Sequence, residues 1–225
     1  MKVALLLSGK FRDSFDCHTE LTQKLLKKYN VDVFISYFYE DAYDVDISMQ
    51  ELVELYKPKS IIYERIPNDV KTKIKSFNKF LKYTEVINYN FALMWYGIHS
   101  VNQLKQKFEI HNKFRYDVVI KTRFDLKLLE DLELKNRKNA IHIPIGWDHR
   151  GGYNDLFAYG DSESMDYYCD LFNKIETYYS EQNRIHPEKY LRTHLEKSKR
   201  IMVYRIPLKN SLRGMVTNEL EYRTT

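Results

Sequence analysis

The chain has 225 residues, of which 44% are hydrophobic and 30% charged, a balance typical of a soluble globular protein. Its net charge of +5 suits an anionic ligand. Positive and negative residues are interleaved and no nucleic-acid-binding signature occurs, so we expect no nucleic-acid partner. The two cysteines, Cys17 and Cys169, lie far apart in sequence, which excludes a zinc ribbon or a disulfide framework.

The distribution of apolar residues predicts where the protein works and how many domains it has. The N-terminal apolar run, Val3 to Leu7, is shorter than the roughly 7–15 residues of a signal-peptide core, and no run has transmembrane length. We therefore expect a cytoplasmic protein. With only 7 glycines and 5 prolines, and no repeat or linker, residues 1–225 are predicted to form a single domain. The oligomeric state stays open.

The first quarter of the chain alternates between strand and helix patterns. Strands are predicted at Val3–Leu7, Val31–Tyr37 and Ser60–Tyr63, with helices beginning at Ser14 or Asp16 and covering Ile47–Tyr56. The acidic residues Glu40, Asp41, Asp44 and Asp46 are predicted to lie in the loop after the second strand. This order of elements predicts a parallel, Rossmann-like sheet flanked by helices.

Two helices are predicted next. Asn68–Lys82 carries an apolar stripe and five lysines that no acidic residue interrupts. The lysines fit a solvated helix face, or a patch that contacts an anionic membrane surface or a lipid-linked substrate. The second helix, from Glu85 to about His111, is apolar nearly all round in its middle, so it is expected to be buried against the sheet.

The stretch Tyr116–Asp125, YDVVIKTRFD, begins as an apolar run typical of a strand buried on both faces. Ligands of open α/β sheets bind beyond the carboxyl ends of such strands. Side chains two apart share a strand face, so Lys121, Arg123 and Asp125 are expected to point the same way. They could bind a phosphate or a metal-bound phosphate. The alternative is an ordinary strand end with a surface salt bridge.

The second half of the chain is predicted to add short strands and two helices. Leu126–Leu134 receives no assignment, Ala140–Ile143 and Ile201–Arg205 are predicted strands, and Asp155–Gly160 is a strand or a turn. The loop Gly146–Asn154 holds three of the seven glycines, which allow close approach to a ligand. One helix is predicted from Asp161 or Ser162 to about Gln182 and another from Pro187 to about Lys197.

Four segments together resemble a known family: SGKFR after the first strand, VDVFIS, YDVVIKTRFDL, and GGYNDLFAYGDSESMDYY. Over roughly residues 2–200 the chain is similar to the small nucleotide-sugar-dependent glycosyltransferases of GT-A-like fold found in bacterial surface-polysaccharide loci and large DNA viruses. The resemblance implies an α/β fold with a Rossmann-like, mostly parallel central sheet. It also implies transfer of a sugar from a nucleoside diphosphate donor to a glycan or lipid-linked acceptor.

The resemblance further implies a divalent ion, Mn²⁺ or Mg²⁺, that holds the diphosphate on an Asp-x-Asp motif. Here the matching triplet is Arg123-Phe124-Asp125, which keeps only the second Asp. Asp125 is the implied metal ligand, and His194 the implied late histidine ligand. Arg123 could instead contact the diphosphate directly. The implied nucleotide-binding residues are Ser8, Gly9, Arg12, Lys121 and Arg123.

In inverting members of such families a carboxylate near GGYNDLFAYG acts as the general base. This implies Asp155, with Asp148 in reserve. The alternatives are that Asp155 only hydrogen-bonds turn amides, that Arg12 is a surface arginine and that His194 is a surface or core residue. Two other functions stay open. One is a non-catalytic nucleotide- or sugar-binding protein, favoured if Asp125 and Asp155 lie apart or in buried salt bridges. The other is a protein that docks on a membrane or partner through residues 68–82.

Overall fold

A seven-stranded sheet forms the centre of the computed structural model, which describes residues 1–79, 83–182 and 187–212. The strand order is β3-β2-β1-β4-β7-β6-β8, and only β7 runs antiparallel to its neighbours. The strands are β1 (Val3–Ser8), β2 (Val31–Tyr39), β3 (Ser60–Arg65), β4 (Val118–Thr122), β6 (Ala140–Pro144), β7 (Ala158–Gly160) and β8 (Met202–Ile206). The prediction of an α/β fold with a mostly parallel central sheet is confirmed.

Helices cover both faces of this sheet. They are α1 (Phe15–Leu21), α2 (Met49–Tyr56), α3 (Asn68–Ser76), α4 (Glu85–His111), α5 (Ser162–Cys169), α6 (Ile175–Gln182) and α7 (Pro187–Glu196). Strong local signals set several ends. Ser48 and Glu51 form a capping box that starts α2, and the Thr84 and Asp161 side chains accept hydrogen bonds at the first turns of α4 and α5. Among the described residues, no helix is both long enough and apolar enough to cross a membrane.

The period-2 alternation of the buried strands sorts their side chains into two cores. Val3, Leu5 and Leu7 of β1 belong to the core that includes residues of α1 and α2. Ala4 and Leu6 belong to the opposite core, with residues of α4, α5 and α7. Because every residue of β1 is buried, its sequence is continuously apolar up to Ser8. The two cores make the sheet the middle of three layers.

The position of a binding crevice follows from the strand order. From β1 the chain builds outward through β2 to β3, and then returns to place β4 on the other side of β1. Both neighbours are parallel to β1, and Leu7 lies opposite Thr122 at the carboxyl ends of β1 and β4. In open α/β sheets, ligands bind at such a point of reversal.

The structure corrects the prediction for Tyr116–Asp125. Strand β4 ends at Thr122, and the chain turns at Phe124 and Asp125. Arg123 and Asp125 therefore do not continue the strand alternation, and the prediction that they share a strand face with Lys121 is wrong. After the turn, Leu126–Leu128 forms β5, which pairs with β9 (Asn210–Leu212) in a separate two-stranded sheet. No sequence pattern had predicted this pair.

Two predicted helices also differ from the structure. The helix predicted from residue 161 or 162 to Gln182 is divided into α5 and α6 by a 3₁₀ segment, Asp170–Lys174. Within that segment Asn173 donates a side-chain hydrogen bond to Asp170 at 2.7 Å, a local bond that competes with regular helix. The basic helix ends at Ser76 and a 3₁₀ turn follows, while residues 80–82 lie outside the described residues.

Gly160 lies where the main chain of β7 packs closely against that of β6. A Cβ atom added to Gly160 would lie 2.3 Å from the main-chain oxygen of Ala140. We therefore expect Gly160→Ala to lower the free energy of unfolding by about 1–3 kcal/mol, because backbone rather than a flexible side chain must move. Urea unfolding measures the change.

Gly97→Ala is the matched control. In α4 the added methyl group meets nothing closer than 3.5 Å, and alanine is favoured over glycine inside a helix by about 1 kcal/mol. This variant should be as stable as the wild type or more stable. A Gly160→Ala protein of wild-type stability would contradict the close approach of β6 to β7.

Candidate functional site

A cleft of about 390 Å³ opens beyond the carboxyl ends of β1 and β4. This volume lies within the usual range for small-molecule sites, about 300–1,000 Å³. One wall is polar and contains Ser8, Gly9, Lys10, Arg12, Arg123, Asp125 and Asp155. Six of the nine residues predicted for the site lie on this wall, and Lys121, Asp148 and His194 do not.

The turn after β1 carries Arg12 in an unusual backbone conformation. Gly9 has φ 112°, and Arg12 and Asp13 both have φ 54°, the left-handed region that disfavours residues with a Cβ atom. The carboxylate of Asp46 accepts hydrogen bonds from the main-chain N–H of Arg12 at 2.7 Å and of Phe11 at 3.3 Å. It also accepts one from the Tyr37 hydroxyl at 2.5 Å. Asp46 therefore stabilises the turn that directs Arg12 towards the cleft.

The acidic loop between β2 and α2 thus has a role that the sequence alone did not reveal. Besides Asp46, Asp44 forms an ion pair with Lys10 of the cleft wall and accepts a second hydrogen bond from it at its main-chain oxygen, 2.9 Å away. The sequence predicted only that the four acidic residues lie in a loop after the second strand. Their pairing with the turn after β1 depends on the parallel contact between β1 and β2, which brings both carboxyl ends together.

Asp125 is buried between two arginines. Arg123 donates Nε–H to Oδ1 and Nη2–H to Oδ2, each at 2.7 Å, and Arg12 donates Nη1–H to Oδ2. Burial raises the pKa of the Asp125 carboxyl, but the hydrogen bond and charge of Arg123, and then Arg12, outweigh it, so the net pKa is lowered. The side chain is only 5% exposed, whereas that of Arg123 is 23% exposed at the cleft.

Lys121 lies behind the cleft wall. It is fully buried, and Nζ donates to the main-chain oxygens of Asp155 and Leu156. Burial lowers its pKa to about 8, although the negative charge of Asp155 opposes the shift. Lys121 does not line the cleft, so the structure does not bring it together with the other residues predicted to contact the ligand. Its role is to hold the segment that carries Asp155.

Asp155 presents a carboxylate to the cleft. Within the described part of the chain, this carboxylate makes no hydrogen bond or ion pair. The turn around it is held instead by Asn154, which accepts from the main-chain N–H of Leu156 at 2.9 Å and donates to the Gly146 oxygen at 3.0 Å. The alternative that Asp155 serves only to bond turn amides is therefore not what the structure shows.

Asp148, the reserve base, fastens the glycine-rich loop. Its carboxylate accepts hydrogen bonds from the main-chain N–H of Asn154 at 3.0 Å and of Gly146 at 3.3 Å. Arg205 of β8 donates to both of its oxygens at 2.8 Å. Because Asp148 is engaged in these contacts and does not line the cleft, the structure does not support it as a base.

His194 is a core residue. Its Nε2 lies 2.6 Å from the main-chain oxygen of Tyr167 and its Nδ1 lies 2.7 Å from the Tyr178 hydroxyl. The ring stacks on Tyr167 with centroids 4.3 Å apart. Burial lowers the pKa of His194 to about 4, so the ring is neutral with both nitrogens engaged. The implied role of His194 as a metal ligand does not fit this environment.

Helix α4 supplies the apolar wall of the cleft. Ile87, Phe91 and Met94 lie on one side of this helix at spacings of four and three residues, and Leu93 and Phe38 complete the surface. Ile87 remains 46% exposed. The sequence predicted a helix buried nearly all round. The apolar residues outside its core-facing side were the available signal that part of this helix lines a cavity.

Asp125, the metal ligand that the resemblance implies, does not offer a free carboxylate to a divalent ion. Oxygen ligands from one or two free carboxylates are the usual requirement for Mn²⁺ or Mg²⁺. Both oxygens of Asp125 already accept bonds from guanidinium groups, which leaves Asp155 as the one carboxylate of the lining without such a partner. Across the described ranges, no cluster of three or more His, Cys, Asp or Glu residues could hold a metal.

Comparison with known proteins adds no family assignment: no protein-family model matches the chain, and no curated protein has significant similarity to it. The chemistry of the cleft therefore carries the functional argument.

The buried charge of Lys121 can be tested by the pH dependence of stability. Its folded pKa of about 8 lies below the unfolded value of roughly 10.4, so the unfolded state binds more protons between these values. Stability should therefore rise with pH in this window. Between about pH 7.5 and 9.5, wild-type protein should gain on the order of 1–2 kcal/mol of unfolding free energy relative to Lys121→Met.

Comparing the variant with the wild type removes the contribution of other groups that titrate in the same range. Lys75→Met, at an exposed position of α3, is the control and should keep the wild-type pH dependence. Equal slopes for Lys121→Met and the wild type in urea unfolding would show that Lys121 is not a desolvated cation.

Proposed function

We propose that this protein is a glycosyltransferase of GT-A-like fold that moves a sugar from a nucleoside diphosphate donor to a glycan or lipid-linked acceptor. One observation carries the proposal. A single cleft, at the point where the strand order reverses, combines a pair of arginines with a carboxylate that has no partner among the described residues. The resemblance of the four sequence segments supports the same assignment.

The arginine side of the cleft suits the diphosphate. Guanidinium groups bind phosphate oxygens through paired, charge-assisted hydrogen bonds. Arg12 and Arg123 come from the ends of neighbouring strands, so they converge on one place. No atom lies within 4 Å of where a Cβ atom of Gly9 would be, which leaves room for a ligand beside the main chain. The apolar wall of α4 offers a surface for the base or sugar faces of the donor.

Asp155 is proposed as the general base. It takes the proton from the acceptor hydroxyl while that oxygen forms a bond to the anomeric carbon of the donor sugar. The bond from this carbon to the diphosphate oxygen breaks, and its electron pair leaves with the nucleoside diphosphate. A positioned base contributes typically about 10²–10⁴-fold to the rate. Arg12 and Arg123 stabilise the charge that develops on the leaving diphosphate.

Two other functions can be weighed against the structure. The ion pairs of Asp125 favour a non-catalytic nucleotide- or sugar-binding protein, since they occupy one carboxylate of the site. The carboxylate of Asp155 in the same cleft favours an enzyme. We also propose that the protein works in the cytoplasm, with peripheral membrane contact as part of the same proposal.

Docking through residues 68–82 receives less support. Lys71 forms an ion pair with Glu40 at 2.8 Å, and Lys73 Nζ lies 4.7 Å from the centre of the Phe172 ring. Both lysines therefore contact the protein itself, and the ion pair reduces the charge that Lys71 presents to a membrane or partner. Docking predicts binding to anionic vesicles that is lost when the lysines are neutralised, without turnover of any nucleotide sugar.

Nucleotide binding is the first expected outcome. In a thermal-shift series of nucleoside diphosphates and nucleotide sugars, at least one compound should raise the unfolding temperature. At a concentration of about 100 times its Kd, a ligand that binds only the folded state stabilises it by about 2.7 kcal/mol. If none of the compounds shifts the transition, with or without Mn²⁺, the transferase proposal fails.

The role of Asp155 is tested by comparing two aspartates of the same chain segment. Asp155→Asn should abolish sugar transfer, with a loss of at least about 10²-fold, and leave donor affinity unchanged, because it removes the base but no diphosphate contact. Asp148→Asn should retain transfer, since Asp148 fastens the loop. Transfer by Asp155→Asn at the wild-type rate, or loss of donor binding in that variant, would contradict its role as base.

A further inference from the structure

We infer that the cleft binds the diphosphate of its ligand without a metal ion, through the guanidinium groups of Arg12 and Arg123, and that Asp125 positions these groups rather than holding a metal. The inference rests on the proposed function, because it concerns the same nucleotide site. It departs from the metal dependence that the family resemblance implies.

Both carboxylate oxygens of Asp125 are already bonded to arginines. Its two oxygens accept three hydrogen bonds from Arg12 and Arg123, and the side chain is 5% exposed. A carboxylate has about four lone-pair sites, and both sites of Oδ2 are used, so a divalent ion that bound both oxygens would displace at least one guanidinium. That guanidinium would lose a charge-assisted, partly buried hydrogen bond, which is among the stronger interactions of a folded protein.

The charge around Asp125 is positive. The trio of Arg12, Asp125 and Arg123 contains two cations and one anion, so it carries a net charge of +1. Two unit charges about 4 Å apart interact by about 4 kcal/mol at an effective dielectric constant of 20. The trio therefore repels a divalent cation and attracts a diphosphate. Asp155 adds one negative charge to the lining and Lys10 adds one positive charge, so the formal net charge of the lining residues remains +1.

Arg12 and Arg123 are held in place before a ligand binds. Asp46 holds the main chain of Arg12 in its left-handed turn, and Asp125 binds Nε and Nη2 of Arg123. In the described part of the chain, Nη1 of Arg123 makes no hydrogen bond, so its donors are available to a phosphate oxygen. Holding both groups in place before binding lowers the entropy lost when the ligand binds.

This arrangement makes Asp125 a positioning residue, so the effect of its substitution on binding should not depend on the metal. An amide in its place has one oxygen instead of two and cannot accept all three hydrogen bonds. Asp125→Asn should therefore weaken diphosphate binding by a similar factor in EDTA and in Mn²⁺. If Asp125 were a metal ligand, the loss would appear in Mn²⁺ only.

The test is isothermal titration calorimetry on the full chain, with inorganic pyrophosphate and with the nucleoside diphosphate that gives the largest thermal shift. Each is titrated in EDTA and in excess Mn²⁺. The Kd in EDTA should equal the Kd in Mn²⁺ within about threefold, or be lower, because chelation by Mn²⁺ removes charge from the diphosphate.

Arg123→Lys supplies a second variant that keeps the positive charge but loses the planar pair of donors. It should raise the Kd about 10–100-fold in both conditions. Arg200→Lys, an exposed arginine away from the cleft, should leave the Kd unchanged. Binding by Arg123→Lys with wild-type affinity would overturn the inference, even if Asp125→Asn failed to fold.

The outcomes separate this inference from the proposed function. Binding that requires Mn²⁺ overturns the metal-free site and leaves the transferase proposal standing. The absence of binding in both conditions overturns both proposals. Equal binding in EDTA and Mn²⁺, with parallel losses in the two variants, supports the metal-free site, and the Asp155→Asn variant then tests transfer.

Discussion

The ion pairs of Asp125 with Arg123 and Arg12 are the interaction on which the rest of the site depends. They join the turn after β1 to the turn after β4, at the two strand ends that face the cleft. A buried carboxylate needs such partners, because its charge has lost the surrounding water. Once paired, Asp125 holds two guanidinium groups on one wall with a net positive charge. The proposed binding of an anionic ligand rests on that pairing.

Several charged residues of the site act on the main chain rather than on the ligand. Asp46 accepts the N–H groups of the left-handed turn, Lys121 donates to the carbonyls around Asp155, and Asp148 binds the amides of the glycine-rich loop. Each stabilises a loop that has no regular hydrogen-bond partner of its own. Asp155 is different, since its carboxylate lines the cleft and is left to interact with a substrate. This contrast separates the proposed base from its neighbours.

Helix α4 connects the site to the core. Trp95, Ile98 and Val101 pack in the core below the sheet, while Ile87 and Met94 form the apolar wall of the cleft. The same helix therefore supports the sheet and shapes the binding surface. The proposed nucleoside diphosphate donor combines an anionic part with an apolar part, in keeping with the polar and the apolar wall of the cleft.

The sequence by itself determined most strands of the central sheet, most helices and the two segments that carry Arg12 and Asp125, because strand periodicity, apolar runs and caps are local signals. It also indicated Asp155. Only the tertiary structure decided which charges face the cleft. Lys121 lies behind the wall because it is still inside β4, paired on both sides, and His194 lies in the core between tyrosines. Asp46 was not predicted because its partners are 34 and 35 residues away. Pairing between distant residues depends on packing, which local patterns do not encode.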